Sequence, residues 1–146
     1  MSSCQLLEGE VVFFPDGFIG FPEWNRFVLL PGPAGSDVMR LKCLTDPDVC
    51  FVVTDPRHVY PGYGVSVPKE EIVALGLESL DEGLLLCTIT IRGEPPVVTI
   101  NLLAPLLINP GLNIGKQLVL AESGYSPRHV LAVLEQEPGN EKRKAG

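Results

Sequence analysis

Two imidazoles are all the chain has for proton transfer near neutral pH, His58 and His129. A hydrolase would set one of them beside a carboxylate, and Asp55, in the corner Asp55-Pro56-Arg57-His58, is the acid that could serve. A Cys–His dyad would need a cysteine beside a histidine in space, and neither histidine sits in a recognisable local signature. The cysteines, at 4, 43, 50 and 87, form no Cys-x-x-Cys pair, and Cys43-x6-Cys50 is not a zinc spacing. Carboxylates pair at Asp46/Asp48, Glu70/Glu71 and Asp81/Glu82, all in turns or at a helix start, where such groups accept from backbone amides. Gly111-x-x-x-Gly115-Lys116-Gln117 is one residue short of a phosphate loop and lacks its hydroxyl. No cofactor and no metal is expected. A small β-barrel enzyme or ligand-binding domain built on His58 or His129 is the alternative reading, and the Asp55–His58 corner suits a recognition loop or a self-capped turn equally.

The stretch from Pro96 to Asn109 speaks for binding rather than catalysis. A run this apolar reads as buried strand. Asn101 in its middle carries donors and an acceptor that need partners if buried. Pro105 lacks an amide hydrogen and is excluded from a central ladder. A strand that stops at Asn101-Leu102-Leu103-Ala104-Pro105 and resumes beyond it implies a shaped edge or bulge beside a binding surface. If exposed, Leu102, Leu103, Ala104 and Pro105 would form an apolar patch of the kind that marks a partner site. The other reading of Asn101 is a core residue that pins a loop.

The elements that must position these residues are strands. Gly (15) and Pro (14) fill about a fifth of the 146 residues, too many for a helix bundle and suited to short strands joined by tight turns. Strands are predicted over Val11–Phe14, Arg26–Leu30, Val38–Leu44, Val49–Thr54, Tyr63–Val67, Gly83–Arg92, Val97–Leu103, Pro105–Asn109 and Lys116–Leu120. Val130–Leu134 is read as a strand or a helical turn. One helix is expected over Pro68–Gly76, with Pro in its first turn, Glu70 and Glu71 near its positive end and Gly at its close. Ile72 and Leu75 should face the core. The pattern predicts a mainly β fold, a small antiparallel β-barrel-like or closed-sandwich domain spanning residues 1–134. A flexible polar tail over 135–146 follows it. Cys43, Cys50 and Cys87 read as reduced core residues.

The net charge of −7 argues against direct nucleic-acid binding, which needs a positive footprint, and favours encounter with a basic partner. No apolar run approaches the length that spans a bilayer, and the N-terminus has no leader pattern, so a cytoplasmic protein without membrane contact is expected.

Three segments together resemble the flagellar assembly factor FliW family. They are Gly20-Phe21-Pro22-Glu23-x-x-x-Phe27-Val28-Leu29, Asp46-Pro47-Asp48-Val49-x-Phe51-Val52-Val53-x-Asp55-Pro56 and Thr99-x-Asn101-Leu102-Leu103-Ala104-Pro105-Leu106-x-Ile108-Asn109. Gly115-Lys116-Gln117 and Tyr125-Ser126-x-Arg128-His129 fit as well, so the likeness runs in order over roughly residues 8–131. Met39–Leu44 departs from the pattern in lacking an aromatic and a Gln before the Asp-Pro turn.

The resemblance implies a non-enzymatic regulator with a small β-barrel-like domain. Such a protein is a cytoplasmic chaperone for flagellin, held chiefly through flagellin's C-terminal region. Freed by flagellin export, it binds the translational regulator CsrA and relieves repression of flagellin mRNA. An acidic chain would be steered to the basic surface of CsrA, and an amphipathic helix of flagellin would dock in an apolar groove. The groove is expected at the edge formed by Asn101, Leu102, Leu103, Ala104, Pro105 and Leu106, with Phe21 near by.

Overall fold

Residues 9–134 are described here, from a computed structural model. The strands are β1 Val11–Phe13, β2 Arg26–Pro31, β3 Val38–Cys43, β4 Cys50–Thr54, β5 Leu84–Arg92, β6 Val97–Ile100, β7 Leu106–Asn109, β8 Ile114–Gln117 and β9 His129–Val133. The helix α1 covers Lys69–Ala74, and 3-10 turns lie at Pro56–His58 and Leu80–Glu82. The strands hydrogen-bond in the order β4-β3-β2-β1-β8-β7-β5-β6-β9, and a further pairing of β4 with β5 closes the first seven into a barrel. The expected mainly β barrel with one short helix is therefore present, with one amendment. Its pairings are antiparallel except β1 with β8, which meet in parallel at Phe13 and Ile114.

Strand β5 organises the molecule. One of its edges is shared in turn by β7, opposite Leu84–Leu86, and by β6, opposite Ile89–Arg92. Its other edge pairs with β4 over Cys87–Ile89. The barrel thus continues past its own mouth as a three-stranded extension, β5-β6-β9. Alternation along the strand divides the apolar residues between two cores. Leu84 and Leu86 join Val12, Phe14, Phe27, Leu29, Leu41, Leu106 and Ile108 inside the barrel. Leu85 and Cys87 face outward with Ile100, Leu102, Leu107, Leu118 and Leu120. Leu75, Leu77 and Tyr63 cover this second core.

That cover corrects one expected element. Tyr63–Val67 forms no strand but an irregular flap. Its Tyr63 hydroxyl donates to the carbonyl of Leu102 at 2.7 Å, and the ring lies 4.6 Å from that of Tyr125. The helix is shorter than expected. Leu75, just past its end, is buried, and Ile72 is half-buried. The buried Asn109 carboxamide donates to the Leu75 carbonyl at 2.7 Å and fastens the helix to β7.

The expected strand Val97–Leu103 ends at Ile100, because the Asn101 side chain takes over the next amides. Lys116–Leu120 begins earlier and ends at Gln117. The expected strand or helical turn over Val130–Leu134 is strand β9, His129–Val133, with a register shift against β6 between Val98 and Thr99. Cys4 and the expected tail from Glu135 lie outside the described residues.

Cys43 and Cys87 are buried as expected, but Cys50 is exposed at the start of β4, where it pairs with Lys42 on the rim of the sheet. Burial pushes the Cys87 thiol up to about 12, beyond any relief from the nearby Tyr63 hydroxyl. Only the thiolate reacts readily with alkylating agents. At pH 8 Cys50 should therefore be labelled by iodoacetamide in the native protein, while Cys43 and Cys87 are labelled only after denaturation. Peptide mass spectrometry checks this, and fast labelling of Cys87 in the folded chain contradicts the two-core arrangement.

Candidate functional site

Asn101 sits where β5 exchanges β6 for β7. Its amide still donates to the Thr88 carbonyl at 2.9 Å, as the last rung of the ladder. Its side-chain Oδ1 then accepts from the amides of Leu103 (3.1 Å) and Ala104 (3.0 Å). Asn does this because its short carboxamide can satisfy the backbone two and three residues on. The chain swings through Leu102–Pro105 and re-enters the barrel as β7. The loop is held from outside as well. The Leu102 amide donates to the Ser126 carbonyl, the Leu118 amide to the Pro105 carbonyl and the Leu120 amide to the Leu103 carbonyl, at 2.8–3.0 Å. Pro105 offers only its carbonyl here, so its missing N–H costs nothing.

The barrel mouth opens next to this loop. Residues 18–21 form a tight turn in which Phe18 and Phe21 exchange both backbone hydrogen bonds. Gly17 enters it at φ +65°, against the backbone of Pro22. Inside the turn the rings form a chain from core to surface. Phe18 stacks on Phe27 (centroids 4.9 Å) and Phe51 (5.0 Å), and Trp24 meets Phe51 edge-on at 5.9 Å. Phe21 lies flat on Trp24 at 3.9 Å. Phe18 is buried, Trp24 and Phe51 are half-buried, and Phe21 and Ile19 are exposed at 44% and 58%. Aromatic rings left open at a surface carry large contact area and specific stacking geometry. Together with Thr88, Asn101, Ala104 and Gln117 they line a groove of about 320 Å³. Barrel mouths are common ligand sites.

Gln117 joins the two halves. Its Oε1 accepts from the Ile19 amide at 2.8 Å, and its Nε2 donates to the Ala104 carbonyl at 3.4 Å. One residue earlier, Lys116 donates to Glu71 at 2.6 Å, and that hydrogen bond raises its pKa.

Of the residues expected at a partner site, Phe21, Asn101 and Ala104 line this groove. Leu102, Ala104, Pro105 and Leu106 are buried and Leu103 is half-buried, so Leu102–Pro105 do not form the apolar patch they would have made if exposed. Leu102 serves the second core and Leu106 the barrel interior. The sequence reading missed Ile19, Trp24, Phe51 and Gln117. Phe51 and Gln117 lie within the matched segments and Trp24 directly follows Gly20-Phe21-Pro22-Glu23, whereas Ile19 carries no motif signal.

The residues considered for acid–base chemistry are otherwise engaged. Burial opposes ionisation of Asp55, but the hydrogen bonds and charge of Arg57 outweigh it and hold the carboxyl below its usual range. Both carboxylate oxygens accept from the Arg57 guanidinium, at 2.9 and 2.8 Å, and Oδ1 also accepts the Arg57 amide. His58 lies 3.9 Å from Asp37, and the ring of His129 packs edge-on against Tyr60 at 5.1 Å. Asp46 and Glu82 accept from backbone amides, as turn residues do. Among the described residues no group of three or more His, Cys, Asp or Glu could hold a metal. No helix there is long and apolar enough to cross a membrane.

Comparison with known proteins accounts for the three motifs. The FliW protein family model matches residues 1–131. The flagellar assembly factor FliW of Symbiobacterium thermophilum is 37% identical over 119 residues, 81% of this chain and 86% of that protein. That of Geotalea uraniireducens is 36% identical over 122 residues, covering 84% and 74%. Flagellar assembly factor FliW 2 of Desulfotalea psychrophila is 30% identical over 126 residues, covering 86% and 83%. A crystal structure of the flagellar assembly factor FliW superposes with a TM-score of 0.76 at 28% identity, over 89% of this chain and 90% of the other. These relatives are named for assembly, the family model spans residues 1–131, and the solved structure shares the fold over most of both chains: the chain belongs to the FliW family of flagellar assembly factors.

Proposed function

We propose that this protein is a cytoplasmic chaperone for flagellin that also antagonises CsrA, and that flagellin's C-terminal region docks at the barrel mouth. The observation that carries the site is the Phe21–Trp24 stack, open to solvent in a chain from the FliW family. An amphipathic helix buries its apolar face in such a groove, and aromatic anchors dominate the affinity. Phe21, Asn101 and Ala104 form the contact wall. Leu102, Leu103, Pro105 and Leu106 hold that wall in place from behind. Export of flagellin would free the protein for CsrA, whose basic RNA-binding surface suits a chain of charge −7.

Calorimetric titration with flagellin, then with CsrA, from the same organism tests this. One-to-one binding of flagellin is expected, with Phe21→Ala weakening it about tenfold, a typical loss for an aromatic anchor. Unchanged binding by Phe21→Ala removes the barrel mouth as the site. No complex of the wild-type chain with either protein removes the function.

A further inference from the structure

The aromatic groove does not stop at Asn101. Thr88, opposite β4 at the rim of the barrel, and Thr90 and Arg92, on the extension β5-β6-β9, continue the inward-facing alternation of Leu84 and Leu86. Thr90 pairs with Thr99 across β6. These residues, with Asn101 and Arg128, line a second depression of about 220 Å³ that shares Thr88 and Asn101 with the aromatic one. One trough therefore runs from an apolar end to a hydroxyl-lined end bearing two arginines. Among the described residues neither Arg92 nor Arg128 has an ion-pair partner, although the chain is strongly acidic. The Ser126 hydroxyl accepts the Arg128 amide at 2.9 Å and fixes the approach of that residue.

Resting on the docking reading above, we infer that the bound segment seats apolar side chains on Phe21 and Trp24 and aspartate or glutamate side chains on Arg92 and Arg128. A planar guanidinium takes a carboxylate in paired hydrogen bonds, and threonine hydroxyls supply further donors. The trough thereby fixes which way the segment lies. The apolar half joined to it favours a peptide over nucleic acid, as does the repulsion of phosphates by the overall charge.

The test titrates full-length wild-type protein and Arg92→Glu/Arg128→Glu with the organism's flagellin at 50 and 300 mM NaCl. Both arginines are exposed, so the double variant should keep the wild-type thermal midpoint. Its affinity should fall roughly tenfold or more at low salt, and the gap should narrow at high salt as screening removes the charge contribution. Binding should recover with flagellin whose acidic residues in the segment protected from hydrogen exchange are replaced by lysine.

Unchanged binding by the double variant, alongside weakened binding by Phe21→Ala, overturns the inference and leaves the docking reading standing. So does a loss that follows only deletion of flagellin's terminal carboxylate. Binding of single-stranded RNA by the wild type and not by the double variant overturns it in favour of a phosphate ligand. Failure of the wild type to bind flagellin removes both.

Discussion

Replacing Asn101 by alanine is expected to destabilise the fold by about 2–3 kcal/mol, because two backbone amides at a half-buried corner lose their acceptor at once. The midpoint of thermal unfolding should fall by about 10 °C for a domain of this size. Asn101→Asp separates the side chain's two duties. A carboxylate accepts the same two hydrogen bonds, so stability should stay near wild type, while a negative charge enters the trough beside Arg128. Paired measurements of unfolding and flagellin binding check this. Normal folding and unchanged flagellin binding by Asn101→Ala would show that the corner needs no such pin.

Gly17→Ala should cost more, about 3 kcal/mol or above. The backbone there has φ +65°, a conformation that strains an L residue by about 1–3 kcal/mol. An added Cβ would also overlap the backbone of Pro22, which no rotamer change can relieve. The Phe18–Phe21 turn must then open, moving Phe21 off Trp24. Tryptophan fluorescence reports the loss of the stack, and a urea midpoint reports the energy. Gly20→Ala is the control. Gly20 also has positive φ, but nothing lies near its would-be Cβ, so its cost should be confined to the backbone strain.

Much of this architecture could be read from residue order. Turn signals such as Asp46-Pro47-Asp48 bound the strands, because those residues satisfy or bend the backbone locally. The three motifs identified the family. What misled was the run Leu102–Leu106. Apolar residues beside a break look like an exposed patch in one dimension. In space they are divided between the barrel interior and the second core on its outer wall. The uninterrupted apolar stretches Leu84–Cys87 and Leu106–Ile108 were the available sign, since only strands covered on both faces lack alternation. Tyr63–Val67 was β-prone, but its ring contacts with Tyr60 and Tyr125 made it a lid and not a ladder. The aromatic mouth could not be assembled beforehand, because Phe21, Phe51 and Gln117 arrive from separate segments.

The division of labour along β5 also sets where the chain can change length. Adding or deleting one residue between Gly83 and Cys87 would hand the barrel's leucines to the outer core and the outer core's to the barrel. It would shift the partners β4, β6 and β7 out of step together. The exposed connection between β2 and β3, at Gly32–Asp37, has no such double allegiance, and extra residues there lengthen only a surface loop. Natural relatives should therefore differ in length at that tip and keep a fixed residue count through β5, as a reading frame does.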